Sequence, residues 1–464
     1  MAKYFGTNGV RGRFDELTPE LTLRLSQAIG TYFKGGKIVV ARDCRLTGDV
    51  LRSAVVSGLA SVGCEVIDLG MASSPTAEYM VKRLAADGCI IISASHNPPE
   101  WNALKVVDGR GIALSRERGE EIERLMEKPG LAGWDKVGKI RTYETGTVEH
   151  IEAVKKLAQV ERIAKRKPKI VIDCGNGAAS FIAPRLLKEL GCEITSLNSH
   201  PDGRFPGRPS EPTEANVKEL IALVKSSGAD AGIAWDGDGD RVIFVDEKGS
   251  YVIGDRVYAL SIIWKADGKK LKGDVVTTVA TSKAVEDVAA KYGARIRYTA
   301  IGAPYLCEEM ARMVGILDSS GRGAVRSMAK KSAAMGGEEV GGVIWPELSM
   351  AKDGFMTAAK LAEALCEKPL SRWLEEVPRY SNVKLKIEAD EKNKKEIVER
   401  VLAHAKNKKL DCVTVDGVRI NLKDAWVICR PSGTEPYVRI FAEARNAGEA
   451  KRLAEEYEKI AKGT

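Results

Sequence analysis

Several things are missing from this 464-residue sequence. No apolar run reaches the roughly 18 residues that a membrane-crossing helix needs. The opening Met1-Ala-Lys-Tyr-Phe-Gly6 lacks the charged-then-apolar layout of a secretory signal. The nine cysteines are an odd number, they form no C-x-x-C pair, and most sit in apolar contexts such as Gly88-Cys-Ile-Ile-Ile92 and Val427-Ile-Cys429. A disulfide framework and a zinc site are therefore set aside, and buried thiols in a reducing cytoplasm are expected. Charge of one sign is also scarce. Lys and Arg total 72 against 64 Asp and Glu, a net +8 that suits an anionic substrate without demanding one. The basic stretch Lys165-Arg-Lys-Pro-Lys169 precedes an apolar strand and reads as a solvated linker rather than a nucleic-acid patch. The expected partner is a small molecule, with neither membrane nor nucleic acid; the sequence does not fix an oligomeric state.

What is present is an ordinary globular composition, 44% hydrophobic and 29% charged, long enough for about three or four domains. It also repeats. Ser61-Val-Gly-Cys-Glu-Val-Ile-Asp-Leu69, Glu189-Leu-Gly-Cys-Glu-Ile-Thr-Ser-Leu197 and Lys291-Tyr-Gly-Ala-Arg-Ile-Arg-Tyr-Thr299 each read as a helix end, a glycine cap and a strand. Each follows an apolar strand and a helix, at Lys37–Arg42, Lys169–Asp173 and Asp274–Val279, which predicts parallel pairing through a crossover. A third strand is predicted at Gly88–Ser93 and at Ala231–Trp235; in the third copy it is indistinct. There, Leu317–Lys331, with Ser319-Ser-Gly-Arg-Gly323, reads as an inserted loop.

Three unlike polar loops stand at matching places: Ser93-Ala-Ser-His-Asn-Pro98, Asp236-Gly-Asp-Gly-Asp-Arg241 and Gly336-Gly-Glu-Glu-Val-Gly-Gly342. Ligands of open α/β sheets sit outside the carboxyl ends of strands, so the three loops are expected to line one central cleft. From about residue 370 the pattern changes to α+β. Strands are predicted at Ser381–Ile387, Val413–Val415, Ala425–Cys429 and Val438–Ala442, with helices over Lys392–Ala405 and Ala447–Lys462. The predicted fold is α/β, three related domains with mixed sheets (1–150, 151–255, 256–368) plus a C-terminal α+β domain (369–464).

The loops differ in chemistry. Asp236, Asp238 and Asp240 place three carboxylates at alternate positions, with glycines that let the backbone curl, and this favours a hard divalent cation over a plain Asp-Gly turn. An EF-hand is excluded, because Arg241 occupies the position that requires glycine. Such an ion commonly completes its shell with water or phosphate, and Arg241 is placed to hold an anion. Ser95 is either a nucleophile or part of an Asn-Pro turn; no Gly-x-Ser-x-Gly elbow surrounds it, and adjacency alone does not pair it with His96. The loop Arg430-Pro-Ser-Gly-Thr-Glu-Pro436 is an anion cradle or a structural turn. Glu338 and Glu339 are placed to accept from sugar hydroxyls.

Together these blocks, with Phe5-Gly-Thr-Asn-Gly-Val-Arg-Gly12, Ala41-Arg-Asp-Cys-Arg45 and Asn102-Ala-Leu-Lys105, resemble the α-D-phosphohexomutase superfamily along nearly the whole chain. The opening block looks like its phosphoglucosamine mutase branch. The Gly-Gly-Glu-Glu-x-Gly-Gly loop looks like archaeal-type members, some described as phosphomannomutase/phosphoglucomutase. The resemblance implies four domains and transfer of a phosphoryl group between the 6- and 1-positions of a hexose phosphate, through phosphorylated Ser95 and a hexose 1,6-bisphosphate. It implies Mg²⁺ on Asp236, Asp238, Asp240 and Ser95, and a catalytic set of Ser95, Lys105, Arg11 and His96. Lys105 is expected to carry a depressed pKa and act as acid and base. Substrate contacts are implied at Arg241, Glu338, Arg430, Ser432, Gly433 and Thr434. The chain departs from the family pattern at Val340 and Gly342, where Ser and His are common, and at Trp101 and Ala103, where Tyr and Gly are common. A metal-dependent phosphatase and a non-catalytic sugar-phosphate sensor are the readings from other classes.

Overall fold

The computed structural model describes residues 3–315, 332–432 and 435–463. The three repeats share one topology. Helix Gly48–Ser61 leads through Gly63 (φ 88°) to strand Glu65–Met71; helix Ala183–Leu190 through Gly191 (φ 99°) to Glu193–Leu197; helix Lys283–Lys291 through Gly293 (φ 74°) to Ile296–Thr299. All three glycines adopt the left-handed conformation, in which a Cβ would clash with the backbone, and this is why glycine recurs there. The first strands, Lys37–Arg42, Lys169–Asp173 and Asp274–Thr278, each pair in parallel with that second strand. On the other side of each lies a third parallel strand, Gly88–Ile92, Ala231–Trp235 or Ala333–Gly337.

Ala333–Gly337 supplies the strand that the sequence leaves indistinct. Its residues, Ala-Ala-Met-Gly-Gly, include no β-branched or aromatic side chain, so propensity does not announce it. Gly336 and Gly337 lie within this strand, so the polar loop begins at Glu338 rather than at Gly336. The insertion read at Leu317–Lys331 falls outside the described residues.

After the first two polar loops the chain returns antiparallel, as Trp101–Asp108 beside Gly88–Ile92 and as Val242–Asp246 beside Ala231–Trp235. The sheets are therefore mixed. The first has seven strands and adds Gly9–Arg13 antiparallel to Trp101–Asp108; the second has five. The fourth sheet is antiparallel. It runs Ser381–Glu388, Tyr437–Ala444, Ala425–Pro431, Val418–Asn421, Asp411–Val413, with helices Glu391–Asn407 and Ala447–Lys462. Val418–Asn421 is a strand that the sequence reading misses, and its neighbour lies at Asp411–Val413 rather than Val413–Val415.

The chain packs into two compact units. One holds the chain to Val257 together with Val340–Leu374; the other holds Tyr258–Glu339 and the chain from Glu375. In the first sheet, central strands are buried on both faces. Ile38, Val40, Ile90 and Ile92 enter one core and Val39, Ala41, Cys89 and Ile91 the other, the near-continuous apolar run expected of a strand covered by helices on both sides. All nine cysteines are free thiols and seven are buried. Lys165, Arg166, Lys167 and Lys169 are exposed, the first two ending helix Val160–Arg166, where cations suit the negative end of the helix dipole. Among the described residues no helix is long and apolar enough to cross a membrane.

Candidate active site

Within the first unit, the loop after strand Gly88–Ile92 meets the loop after strand Ala231–Trp235. Ser95 has a φ of 50°, a strained conformation for a residue with a Cβ, and strain of this kind concentrates at functional sites. A buried guanidinium holds it. Arg45 donates to the carbonyls of Ser95 (2.9 Å), Asn97 (2.7 Å), Pro98 (2.5 Å) and Trp101 (2.9 Å), and its Nε donates to Asp43 (3.0 Å). Asp43 also accepts from Ser93 Oγ, which in turn accepts the Ser95 N–H (3.0 Å). Burial pushes the Asp43 carboxyl up, with Arg45 pulling against it.

Ser95 Oγ donates to Asp236 Oδ2 at 2.6 Å. One carboxylate oxygen from each of Asp236, Asp238 and Asp240 lies within 4.8 Å of the others, and all three residues are buried. Asp236 Oδ1 closes the loop on itself by accepting the N–H groups of Gly239 (3.0 Å) and Arg241 (3.2 Å). Gly239 is left-handed at φ 80°, and a Cβ on Gly237 would sit 2.5 Å from the Ser95 carbonyl, so both glycines are needed for the curl and the close approach. Among the described residues, Asp238 Oδ1 and Asp240 Oδ1 are buried acceptors with no donor. Buried carboxylate oxygens are not left bare without cost, and this donor set suits a hard divalent cation.

Cations surround the loop. Lys105 Nζ lies 2.5 Å from Asp238 Oδ2, which also accepts from Ser74 Oγ, and Lys352 Nζ lies 3.0 Å from Asp240 Oδ2. Lys105 reaches the site by strand alternation: Leu104 and Val106 face one core, while Lys105 and Val107 point the other way. Burial alone would lower Lys105, but Asp238 and Asp240 outweigh it and raise its pKa, which corrects the expected depression. Burial raises Asp238 in turn, yet Lys105 overrides this and holds it well below the usual carboxylate range. Asp236 is pushed well up by burial and by its two acidic neighbours. Glu78, one turn beyond Ser74, is raised by burial too, with Lys105 and Lys352 pulling it back.

The other expected residues divide between the units. Arg11 Nη1 donates to Asn97 Oδ1 (2.5 Å). His96 Nδ1 lies 3.4 Å from Ser95 Oγ, and burial together with Arg241 and Arg11 pulls the ring down to about 2, so it is neutral. Arg241 Nη1 donates to Glu211 (3.1 Å). In the second unit, Glu338 is buried and Glu339 accepts from Thr278 Oγ1 (2.8 Å). Arg430 makes a two-point pair with Asp416, and Ser432 Oγ accepts the Glu435 N–H (3.2 Å). Gly433 and Thr434 fall outside the described residues. The sequence reading misses Ser74 and Lys352, which lie far from the loop along the chain and carry no motif. Arg45 is in a quoted block, but nothing local shows that it anchors Ser95.

A buried serine hydroxyl is thus set against a triad of carboxylates at the carboxyl ends of α/β strands, an arrangement that can seat a divalent cation beside a nucleophile. Comparison with known proteins gives the family. Residues 2–132, 148–249 and 253–380 match the alpha/beta/alpha domains I, II and III of phosphoglucomutase/phosphomannomutase, and 383–460 its C-terminal domain. A Thermococcus kodakarensis phosphoglucomutase/phosphomannomutase is 40% identical, covering 98% of this chain and 97% of its own. A probable phosphoglucosamine mutase of Methanopyrus kandleri is 40% identical with the same coverages. A crystal structure of a phosphoglucomutase/phosphomannomutase family protein from Burkholderia thailandensis superposes with a TM-score of 0.84 at 25% identity, covering 98% of this chain and 97% of that one. An Aspergillus fumigatus N-acetylphosphoglucosamine mutase, solved with GlcNAc-6P and magnesium, shares the fold at a TM-score of 0.54 and 16% identity, over 91% of this chain and 82% of its own. The chain belongs to the phosphoglucomutase/phosphomannomutase family and is a phosphohexomutase, an isomerase of four domains.

Proposed function

We propose that the chain interconverts glucosamine 6-phosphate and glucosamine 1-phosphate in the cytoplasm, through phosphorylated Ser95 and a glucosamine 1,6-bisphosphate, with a trace of hexose 1,6-bisphosphate as activator. The observation that carries the mechanism is Ser95 Oγ, hydrogen-bonded to Asp236 inside a carboxylate triad that keeps two buried oxygens without a donor. Those oxygens fit Mg²⁺, held by Asp236, Asp238, Asp240 and the group on Ser95. Bound there, the ion would neutralise charge on the transferring phosphoryl and relieve the carboxylate hold on Lys105. The phosphoryl on Ser95 passes to the free hydroxyl of the hexose phosphate; the O–P bond to Ser95 breaks as the bond to the sugar oxygen forms. Lys105, in the neutral form that this relief would allow, takes the hydroxyl proton, Arg11 steadies the Asn97 turn and the charge beside it, and neutral His96 donates to the oxygens around Ser95. After the bisphosphate turns end for end, the reverse transfer rephosphorylates Ser95. The Arg430, Ser432, Gly433 and Thr434 loop grips the phosphate that is not reacting, Arg241 holds an anion beside the aspartate loop, and Glu338 accepts from sugar hydroxyls. For Arg430, this requires exchanging Asp416 for phosphate.

The glucosamine preference rests on the opening Phe5–Gly12 block and on the names of relatives. The Gly336–Gly342 loop favours a second reading, glucose and mannose phosphates, because its form resembles archaeal-type members described as phosphomannomutase/phosphoglucomutase, the name that a 40% identical relative carries. A coupled assay with Mg²⁺ and a trace of glucose 1,6-bisphosphate, comparing glucosamine 6-phosphate, glucose 1-phosphate and mannose 1-phosphate at equal concentration, decides it. Fastest exchange with the glucosamine ester supports the first reading. A faster rate with either of the others overturns it.

A further inference from the structure

The six oxygens of the aspartate triad are unequally shared. Asp238 Oδ2 is taken by Lys105 and Ser74, and Asp236 by Ser95 and two backbone N–H groups. Asp240 Oδ2 is taken by Lys352, whose side chain is 6% exposed. What remains on Asp238 and on Asp240 is one donor-free oxygen each.

Lys352 is held in place by its neighbour. Asp353 Oδ1 caps helix Gly354–Ala364 by accepting the N–H groups of Phe355 and Met356 (both 2.8 Å), and its Oδ2 meets His150 Nε2 at 2.8 Å. His150 is fully buried, and its Nδ1 lies 3.0 Å from Thr76 Oγ1, which lies 2.7 Å from Ser73 Oγ. Ser73 caps the helix that begins at Ser74, and Ser74 donates to Asp238. Polar contacts, joined by the Ser73–Ser74 and Lys352–Asp353 peptide links, thus run from the triad at Asp238 back to it at Asp240, and they anchor the backbone that carries Lys352.

We propose that Lys352 is a specificity-determining residue for the metal. By occupying Asp240 Oδ2 it limits that aspartate to one oxygen, so the loop offers single oxygens rather than a two-oxygen grip. Mg²⁺ is small, takes near-octahedral geometry and keeps several waters, which suits such a set. Ca²⁺ takes six to eight oxygens, commonly with both oxygens of a carboxylate, and is disfavoured. The inference rests on reading the triad as the metal loop. Removing the ammonium also removes a positive charge, which favours any divalent cation, so the diagnostic quantity is the ratio of affinities.

Isothermal titration calorimetry of the full chain with MgCl₂ and with CaCl₂ tests this, all variants being matched for Ser95 phosphorylation by intact mass. In Lys352→Met the preference for Mg²⁺ over Ca²⁺ is expected to fall by about tenfold or more, whereas Lys352→Arg, which keeps a cation on Asp240, retains the wild-type ratio. An unchanged ratio in Lys352→Met overturns the proposal. Asp240→Asn provides a second test that does not depend on Lys352→Met folding. Its side chain has one oxygen, so the ratio should stay within about threefold of wild type while both affinities weaken; a sharp gain in Mg²⁺ preference would mean that Asp240 already binds through both oxygens. If the wild-type chain binds neither ion and Asp238→Asn changes nothing, the metal-loop reading itself fails and takes this inference with it.

Discussion

Ser95 Oγ donates to Asp236 Oδ2 across 2.6 Å, joining the end of one α/β repeat to the end of the next. A phosphoryl group carried on that oxygen would be presented directly to the triad. Ser95→Ala is therefore expected to lower exchange by at least about a thousandfold, because the acceptor of the phosphoryl group is gone and not merely displaced. Intact mass after incubation with glucose 1,6-bisphosphate should show the ester on the wild type and none on the variant. Turnover at the wild-type rate would sink the phosphoserine scheme.

The left-handed turn at Ser95 depends on Arg45. Arg45→Met leaves Asp43 buried without its charged partner and takes a donor from four loop carbonyls, of which Asn97 keeps Ser210 Oγ and Pro98 keeps the Trp101 N–H, and is expected to cost about 3–5 kcal/mol in urea unfolding. Arg45→Lys keeps the charge but not the fork of donors, so a kcat loss of about tenfold or more should persist after most of the stability returns. Wild-type kcat in Arg45→Lys would show that the loop is held by something else.

Asp108 gives a pH dependence. Burial alone would raise its carboxyl, but Arg110 and Arg118 outweigh this and hold it below the usual range. Arg118 Nη1 lies 2.8 Å away and Arg110 donates through its backbone N–H and its side chain. A depressed folded-state pKa means stability that is present above the unfolded value of about 4 and is lost as pH falls through the folded value. Asp108→Asn should cost about 2 kcal/mol at pH 7, and the gap from wild type should close in acid. Urea midpoints between pH 7 and pH 3 measure it; a constant gap would contradict the assignment.

Chelation should separate catalysis from folding. EDTA is expected to stop exchange and MgCl₂ to restore it, while the far-UV circular dichroism spectrum stays unchanged, because Lys105 and Lys352 already pair with two of the three aspartates. Full exchange in EDTA would remove the metal from the mechanism.

Much of this was legible in sequence where the cause is local. Gly63, Gly191 and Gly293 are demanded by the turn that each makes, and Asp236, Asp238 and Asp240 are set by adjacency along one loop. What was not legible depends on partners distant in the chain. Strand Val418–Asn421 is short and carries Arg419, a residue type seldom fully buried. In the fold, Arg419 is fully buried, donates to the carbonyls of Val279 and Thr281, and stacks 4.6 Å from the Tyr298 ring and 4.5 Å from the Trp426 ring. Lys105 was found as part of a motif, but the direction of its titration required the carboxylates around it. Lys352 was invisible for the same reason: its meaning lies in Asp240, more than a hundred positions earlier in the chain.

The first unit is built from two stretches of chain, and the second stretch, Val340–Leu374, contributes Lys352, Asp353 and Phe355. Phe355 stacks on Trp235, at the end of the strand that leads into the aspartate loop, with ring centroids 5.9 Å apart. On the ribosome, a nascent polypeptide that has emerged as far as Val257 already displays Asp236, Asp238 and Asp240 but has no lysine for Asp240 and no ring for Trp235. Completion waits for roughly a hundred further residues, some seconds of translation at ordinary elongation rates. During that interval the three acids repel with only Lys105, Ser74, Ser95 and the loop's own N–H groups to restrain them.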